Sequence, residues 1–197
     1  LPAARWKRLV LSGSFQFVPT RTSEFDRLAI PLDRDRFARD LLREFVDSLT
    51  KAAGAEKAAD LISQIGERTG AQAGTYYRAA LKSLSLTRPQ IAAVFLDLKR
   101  RIGGDSYIVE QSDEKIVLCD RACPLGRKVM DRPALCMMTS GVFGAIASQN
   151  TGYAKVELKE TIAEHHEECR VVVYLKPTAE AQRAAGREYR RADQRGS

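Results

Sequence analysis

No stretch of this sequence approaches the roughly 18 consecutive apolar residues that a membrane-crossing helix needs. The one segment that resembles an export signal, Trp6 to Val18, has its apolar run broken by Ser12, Gly13, Ser14 and Gln16. A cytoplasmic protein with no membrane partner is expected. Also missing are the phosphate-cradling Gly-x-x-x-x-Gly-Lys-Ser/Thr loop, the dinucleotide Gly-x-Gly-x-x-Gly, His-Glu-x-x-His and Gly-x-Ser-x-Gly. A non-catalytic role is therefore expected. The sequence has no internal repeat, and its only biased stretch is the Arg/Ala-rich end.

What is present describes a globular chain. Its 197 residues suffice for one domain with a real core plus arms, and 44% hydrophobic with 29% charged residues is an ordinary globular composition. The net charge of +7 is uneven: Arg5, Lys7 and Arg8 open the chain, and Arg183, Arg187, Arg190, Arg191 and Arg195 crowd the stretch after Pro177. Such a tail is expected to be solvated, with DNA or RNA as the alternative partner.

Residues 1–34 lack a sustained period and read as an N-terminal arm, with one edge strand around Phe15, Phe17 and Val18. From Asp35 the spacing of Phe37, Leu41, Leu42, Phe45, Val46 and Leu49 predicts an amphipathic helix that Gly54 ends. A second helix is expected from Glu56 to Thr69, stopping at Gly70, and another over Thr75–Leu84. Thr87 caps a further helix with Pro89 in its first turn and Ile91, Val94, Phe95 and Leu98 inward, broken by Gly103-Gly104.

Beyond the glycine pair the period falls to two. Residues 107–110 and 115–119 read as one hairpin and 154–162 with 169–175 as another, with an uncharged helix over 134–148 between them. That helix is expected to be buried, against the sheet or a second copy in a homodimer. Lys176-Pro177 is expected to close the domain. The fold class is α+β: N-terminal helices on an antiparallel sheet of two hairpins with an inserted buried helix, over residues 35–177, with 178–197 a basic tail.

Four cysteines in a reducing compartment point away from disulfides. Their spacings, Cys-x3-Cys, Cys-x12-Cys and Cys-x32-Cys, match neither a zinc ribbon nor a haem-attachment motif. Cys123-Pro-Leu-Gly, Pro133-Ala-Leu-Cys-Met-Met-Thr139, Asn150-Thr-Gly-Tyr-Ala-Lys-Val156 and Cys169-Arg-Val-Val-Val-Tyr-Leu175 resemble the methanogen output domain family, within the 4-vinyl-reductase-like small-molecule sensing domains. The layout is also similar to the C-terminal half of the suf-operon iron–sulfur repressor. The resemblance implies a regulatory sensor in which Cys123, Cys136 and Cys169 hold an iron–sulfur cluster or zinc, answering to a transcriptional or signalling partner. The sequence lacks the Cys-x-Cys or Cys-Cys pairing common at the last hairpin of those relatives, which leaves the fourth ligand open. The DNA-reading domain that usually precedes the suf-type module is also missing from it.

Three or four thiolates make a soft ligand set suited to zinc or an iron–sulfur cluster. Against that stands the reading of each cysteine as a small buried hydrophobe. Cys119 ends a strand at a core position, so ligand and core readings are even. His165, His166 or Glu164 could supply a fourth donor, or form only a solvated turn. Cys123-Pro124 is too short a signal to carry regulatory haem. The competing function is a small-molecule module with the cysteines as a structural staple and a pocket lined by Tyr76, Tyr77 and Phe95.

Overall fold

The computed structural model describes residues 27–191. The strand expected around Phe15, Phe17 and Val18 lies outside them. The chain divides after Arg34 into two units, and the unit from Asp35 onward carries the architecture below. Helices α1 (Arg34–Ala53), α2 (Ala55–Ala80) and α3 (Arg88–Arg101) precede the hairpin β1 (Asp105–Gln111) and β2 (Lys115–Ala122). Two short 3-10 turns lead into α4 (Cys136–Thr151). The strands β3 (Tyr153–Glu160) and β4 (Cys169–Tyr174), the short helix α5 (Ala179–Arg183) and β5 (Arg187–Arg190) complete the unit. The five strands form one antiparallel sheet in the order β1-β2-β4-β3-β5. The α+β class is as expected.

Alternation along the strands sorts the side chains. Ile116, Leu118, Val156, Val171 and Val173 share one core with Ile91 and Phe95 of α3 and Phe143 and Ile146 of α4. The Phe95 and Phe143 rings stack with centroids 4.2 Å apart. On the opposite face, Val117, Val172 and Tyr174 are covered by Ala181 of α5. The Thr87 hydroxyl and Gln90 side chain form a capping box that starts α3.

Two expectations change. The helices predicted over 56–69 and 75–84 are one helix, α2, which runs through Gly70. The reason is close packing: a Cβ at Gly70 would sit 2.5 Å from the Val142 carbonyl oxygen, and one at Gly141 2.2 Å from that of Ser63. Each interior glycine costs about 1 kcal/mol of helix propensity, and here it lets the α2 and α4 backbones meet. Helix α4 is buried, as its composition predicts, but α2 and the sheet supply the cover, so a second copy is not needed to explain it.

The second change concerns the end of the domain. Lys176-Pro177 does not close it, because β5 pairs with β3 from Tyr153↔Arg190 to Val156↔Arg187. The alternation of β5 turns Tyr189 inward, where its ring covers Gly144 and its hydroxyl meets Ser63 Oγ at 2.9 Å and Ser140 Oγ at 2.7 Å. Arg187 pairs with Asp60 at 2.5 Å, and the Arg190 guanidinium lies 5.4 Å from the Tyr153 ring centroid. Residues 178–190 are thus part of the domain, and two arginines assigned to a basic tail make internal contacts.

Candidate functional site

The register of the central strands places Asp120 of β2 opposite Cys169 of β4, on the sheet face toward α3 and α4. Cys123 follows β2 in a turn closed by Gly126 N–H to the Cys123 carbonyl at 2.8 Å, with Gly126 at φ 63°, where glycine is favoured. Cys136 opens α4. These elements, with α3, bound a cavity of about 120 Å³. Leu42, Leu125, Val129, Leu135, Met138, Leu158 and Val171 make most of its wall. Cys123, Cys136, Cys169, Thr139 and Thr161 contribute small polar groups, and Lys99 with Asp120 contributes charges.

Three of the four candidate cysteines therefore line one space. Burial pushes the Cys136 thiol up to about 12, with the neighbouring Cys169 and Cys123 adding to the rise. Burial raises Cys123 and Cys169 as well. This is opposed at Cys123 by backbone N–H groups of Leu125 and Gly126, and at Cys169 by that of Ile162, whose nitrogen lies 3.3 Å from Sγ. Near neutral pH all three are thiols rather than thiolates, which makes them poor nucleophiles.

Cys119 is not part of this group. It neighbours Asp120 in sequence, so strand alternation turns it to the other face, where it is paired in register with Tyr107 and Arg170. There the Tyr107 hydroxyl donates to Glu168 at 3.0 Å, and burial raises the Cys119 thiol. The core reading of Cys119 is the one its position matches.

The alternative donors lie elsewhere too. His165 Nε2 sits 2.8 Å from Asp131 Oδ1, and Glu164 accepts from the Thr161 hydroxyl at 2.8 Å. His165 and His166 line a surface groove with Cys123, Arg121 and Arg127, apart from Cys136 and Cys169. Tyr76 and Tyr77 line a separate groove with Ala73 and Leu98, and Phe95 is in the core, so none of the three lines the thiol-walled cavity.

The residues that sequence reasoning missed are Lys99 and Asp120. Lys99 Nζ lies 2.7 Å from Asp120 Oδ2, with the side chains 6% and 3% exposed. The Ser106 hydroxyl donates to Asp120 Oδ1, and Lys99 reaches Thr139 Oγ1 at 3.4 Å. Both were findable: Lys99 continues the Ile91 and Phe95 stripe at four-residue steps, and Asp120 continues the alternation of Ile116 and Leu118.

For a metal or cluster, the donor chemistry fits: three thiols in one pocket, two of them accepting backbone N–H groups of the kind that stabilise metal-bound sulfur. The arrangement does not yet fit, because among the described residues no three Cys, His, Asp or Glu side chains are grouped to hold an ion. Ligation would require the thiols to close on one another.

The arrangement of a helical layer on one face of a five-stranded antiparallel sheet has counterparts among solved structures. The phenol-responsive sensory domain of the transcription activator PoxR, solved with phenol, is similar at TM-score 0.57 and 15% identity, over 78% of this chain and 80% of that one. The trafficking protein particle complex subunit 3 from Naegleria fowleri, covalently bound to palmitic acid, gives TM-score 0.49 and 12% identity over 72% and 96%. No curated protein sequence matches. The model of the methanogen output domain 1 family matches residues 41–174. The chain belongs to that family. No helix of the described residues is long and apolar enough to cross a membrane.

Proposed function

We propose that this domain is the input module of a regulatory system, and that its signal is a compact, mostly apolar molecule taken into the cavity between α3, α4 and the sheet. The observation that carries this reading is an apolar cavity of about 120 Å³ with a buried ion pair in its wall. Its size is near the roughly 150 Å³ of an apolar cavity that accommodates benzene. Small-molecule sites are mostly apolar concavities with few, fixed polar groups, and this one matches that pattern. The similar fold of a phenol-responsive sensory domain supports the same reading.

Binding would convey a signal because the cavity wall joins separate elements, among them α1, α3, the end of β2, the start of α4, β3 and the start of β4. A ligand shifts a conformational balance only by its differential affinity for the two states. Filling a pocket among these elements favours the state in which they are closed together. The output would pass to a transcriptional or signalling partner, either through a second copy of the domain or through a DNA-binding protein. The test is a thermal melt of the full chain against a panel of small aromatic and aliphatic molecules. A saturable rise in Tm with at least one compact member is expected. Flat melts across the panel would remove the reading.

The convergence of three thiols, two with N–H groups pointed at sulfur, favours a second reading in which Cys123, Cys136 and Cys169 hold zinc or an iron–sulfur cluster. Such a group would supply a soft, thiolate-bound centre whose loss or oxidation loosens the same elements. Metal analysis of anaerobically purified protein, with visible absorbance as the sign of a cluster, separates the two. Stoichiometric metal lost in a Cys136→Ser variant would favour the second, and metal-free, colourless protein the first.

A further inference from the structure

The wall of the cavity is apolar except where Lys99 and Asp120 meet, and that exception limits what can bind. An ion pair with side chains 6% and 3% exposed is costly to bury, because each charge loses its hydration. Hydrophobic residues of similar size would close this part of the core at no net loss of stability. The pair is also not fully used. The ammonium has three hydrogens, and its hydrogen bonds among the described residues are to Asp120 and, at 3.4 Å, to Thr139. The carboxylate has about four acceptor sites, and it accepts from Lys99 and Ser106.

We propose that the ligand of this cavity is an uncharged molecule of about benzene's size carrying a hydroxyl group, which accepts from Lys99 and donates to Asp120. This deepens the small-molecule reading above and rests on it. A hydroxyl is the smallest group that both donates and accepts, and so can use both spare capacities at once. A carboxylate is excluded by charge. Lys99 and Asp120 already pair with each other, and an anion would bring a further, uncompensated negative charge into an apolar enclosure. A plain hydrocarbon would fill the space and leave the polar capacity unmatched. Lys99 Nζ in addition lies over the Phe143 ring, 5.5 Å from its centroid, a cation–π contact.

The experiment compares benzene, phenol and benzoate, three probes with the same ring, by amide chemical-shift titration of the full-length chain at pH 7. Phenol is expected to bind about tenfold or more tightly than benzene, the scale of one hydrogen bond to a charged group, and benzoate more weakly than either. In the double variant Lys99→Met/Asp120→Leu, which removes both charges together, the preference for phenol over benzene should vanish while benzene still binds. Equal binding of benzene and phenol to the natural chain, or tightest binding of benzoate, would overturn the hydroxyl assignment and leave the cavity reading standing. Failure of all three to bind would overturn both. Should the double variant not fold, fluorobenzene on the natural chain takes its place: it is close to phenol in size but has no hydrogen to donate, so it should bind like benzene, and binding as tight as that of phenol would overturn the hydroxyl assignment.

Discussion

Lys99 and Asp120 lie 21 residues apart in sequence and join α3 to β2 through a 2.7 Å contact from which water is almost entirely excluded. Replacing Lys99 alone with Met leaves the carboxylate buried without its cation, so Lys99→Met should destabilise the fold by about 3–5 kcal/mol. The double replacement Lys99→Met/Asp120→Leu should recover most of that loss. Urea unfolding of the two variants against the natural chain measures both. A single variant as stable as the parent would mean the pair is solvated in solution.

The seam between α2 and α4 depends on residues without side chains. Gly141→Ala would bring a methyl group to within 2.2 Å of the Ser63 carbonyl oxygen, in a place where two backbones must move apart. A loss of about 1–3 kcal/mol or more is expected, the usual range for overpacking. Gly103→Ala offers a contrast, since a Cβ there meets nothing within 4 Å and the only penalty is its φ of 84°. Its cost should be about 1–2 kcal/mol. Chemical denaturation of the two variants distinguishes steric overlap from backbone strain.

Removing residues 178–197 deletes more than a charged tail. It takes Ala181 from the rear face of the sheet and Tyr189 from its place above Gly144. The truncated chain should lose cooperative unfolding or fail to stay soluble. Tyr189→Phe keeps the ring and removes only the hydroxyl shared by Ser63 and Ser140, and should cost about 1–3 kcal/mol. Truncated protein with an unchanged melting curve would show that β5 is dispensable.

The raised thiols make stability depend on alkaline pH in a stated direction. Cys136 has an ordinary value near 9 and is raised to about 12 in the folded chain. Below pH 9 the thiol is neutral in both states and its contribution is complete. Between pH 9 and about 12 the unfolded chain ionises first, so the folded state loses stability as pH rises. Urea midpoints should be level from pH 7 to 8.5 and fall above 9, and the fall should be shallower in Cys136→Ser. Raised tyrosines such as Tyr153 contribute in the same range, so the difference between the two proteins is the informative quantity.

Much of the fold was legible because period and caps act locally. The Leu42 and Val46 stripe, the Thr87 cap and the two hairpins each follow from neighbouring residues. Gly70 misled because a glycine that stops a helix and one that admits a second backbone look alike in sequence, and only the presence of α4 tells them apart. Arg187 to Arg190 read as tail because the strand is four residues long and three of its residues are charged. At the site, the motif layout named Cys123, Cys136 and Cys169 as ligands of a metal or cluster; the three line one cavity but are not grouped to hold an ion. The position of Cys119 turned on alternation: one step along β2 moves a side chain to the other face. Lys99 and Asp120 were overlooked because charged residues are seldom buried, although their periodicity marked both as inward.

The cavity beside the Lys99–Asp120 pair is the proposed receiver of the signal. A crystal structure of the anaerobically purified protein, soaked with phenol, tests it most directly. Density is expected for a ring between Lys99 and the thiols of Cys136 and Cys169, with its hydroxyl within hydrogen-bonding distance of the ion pair. A cavity free of phenol at saturating concentration, or a metal bridging the sulfurs of Cys123, Cys136 and Cys169 in its place, would contradict it.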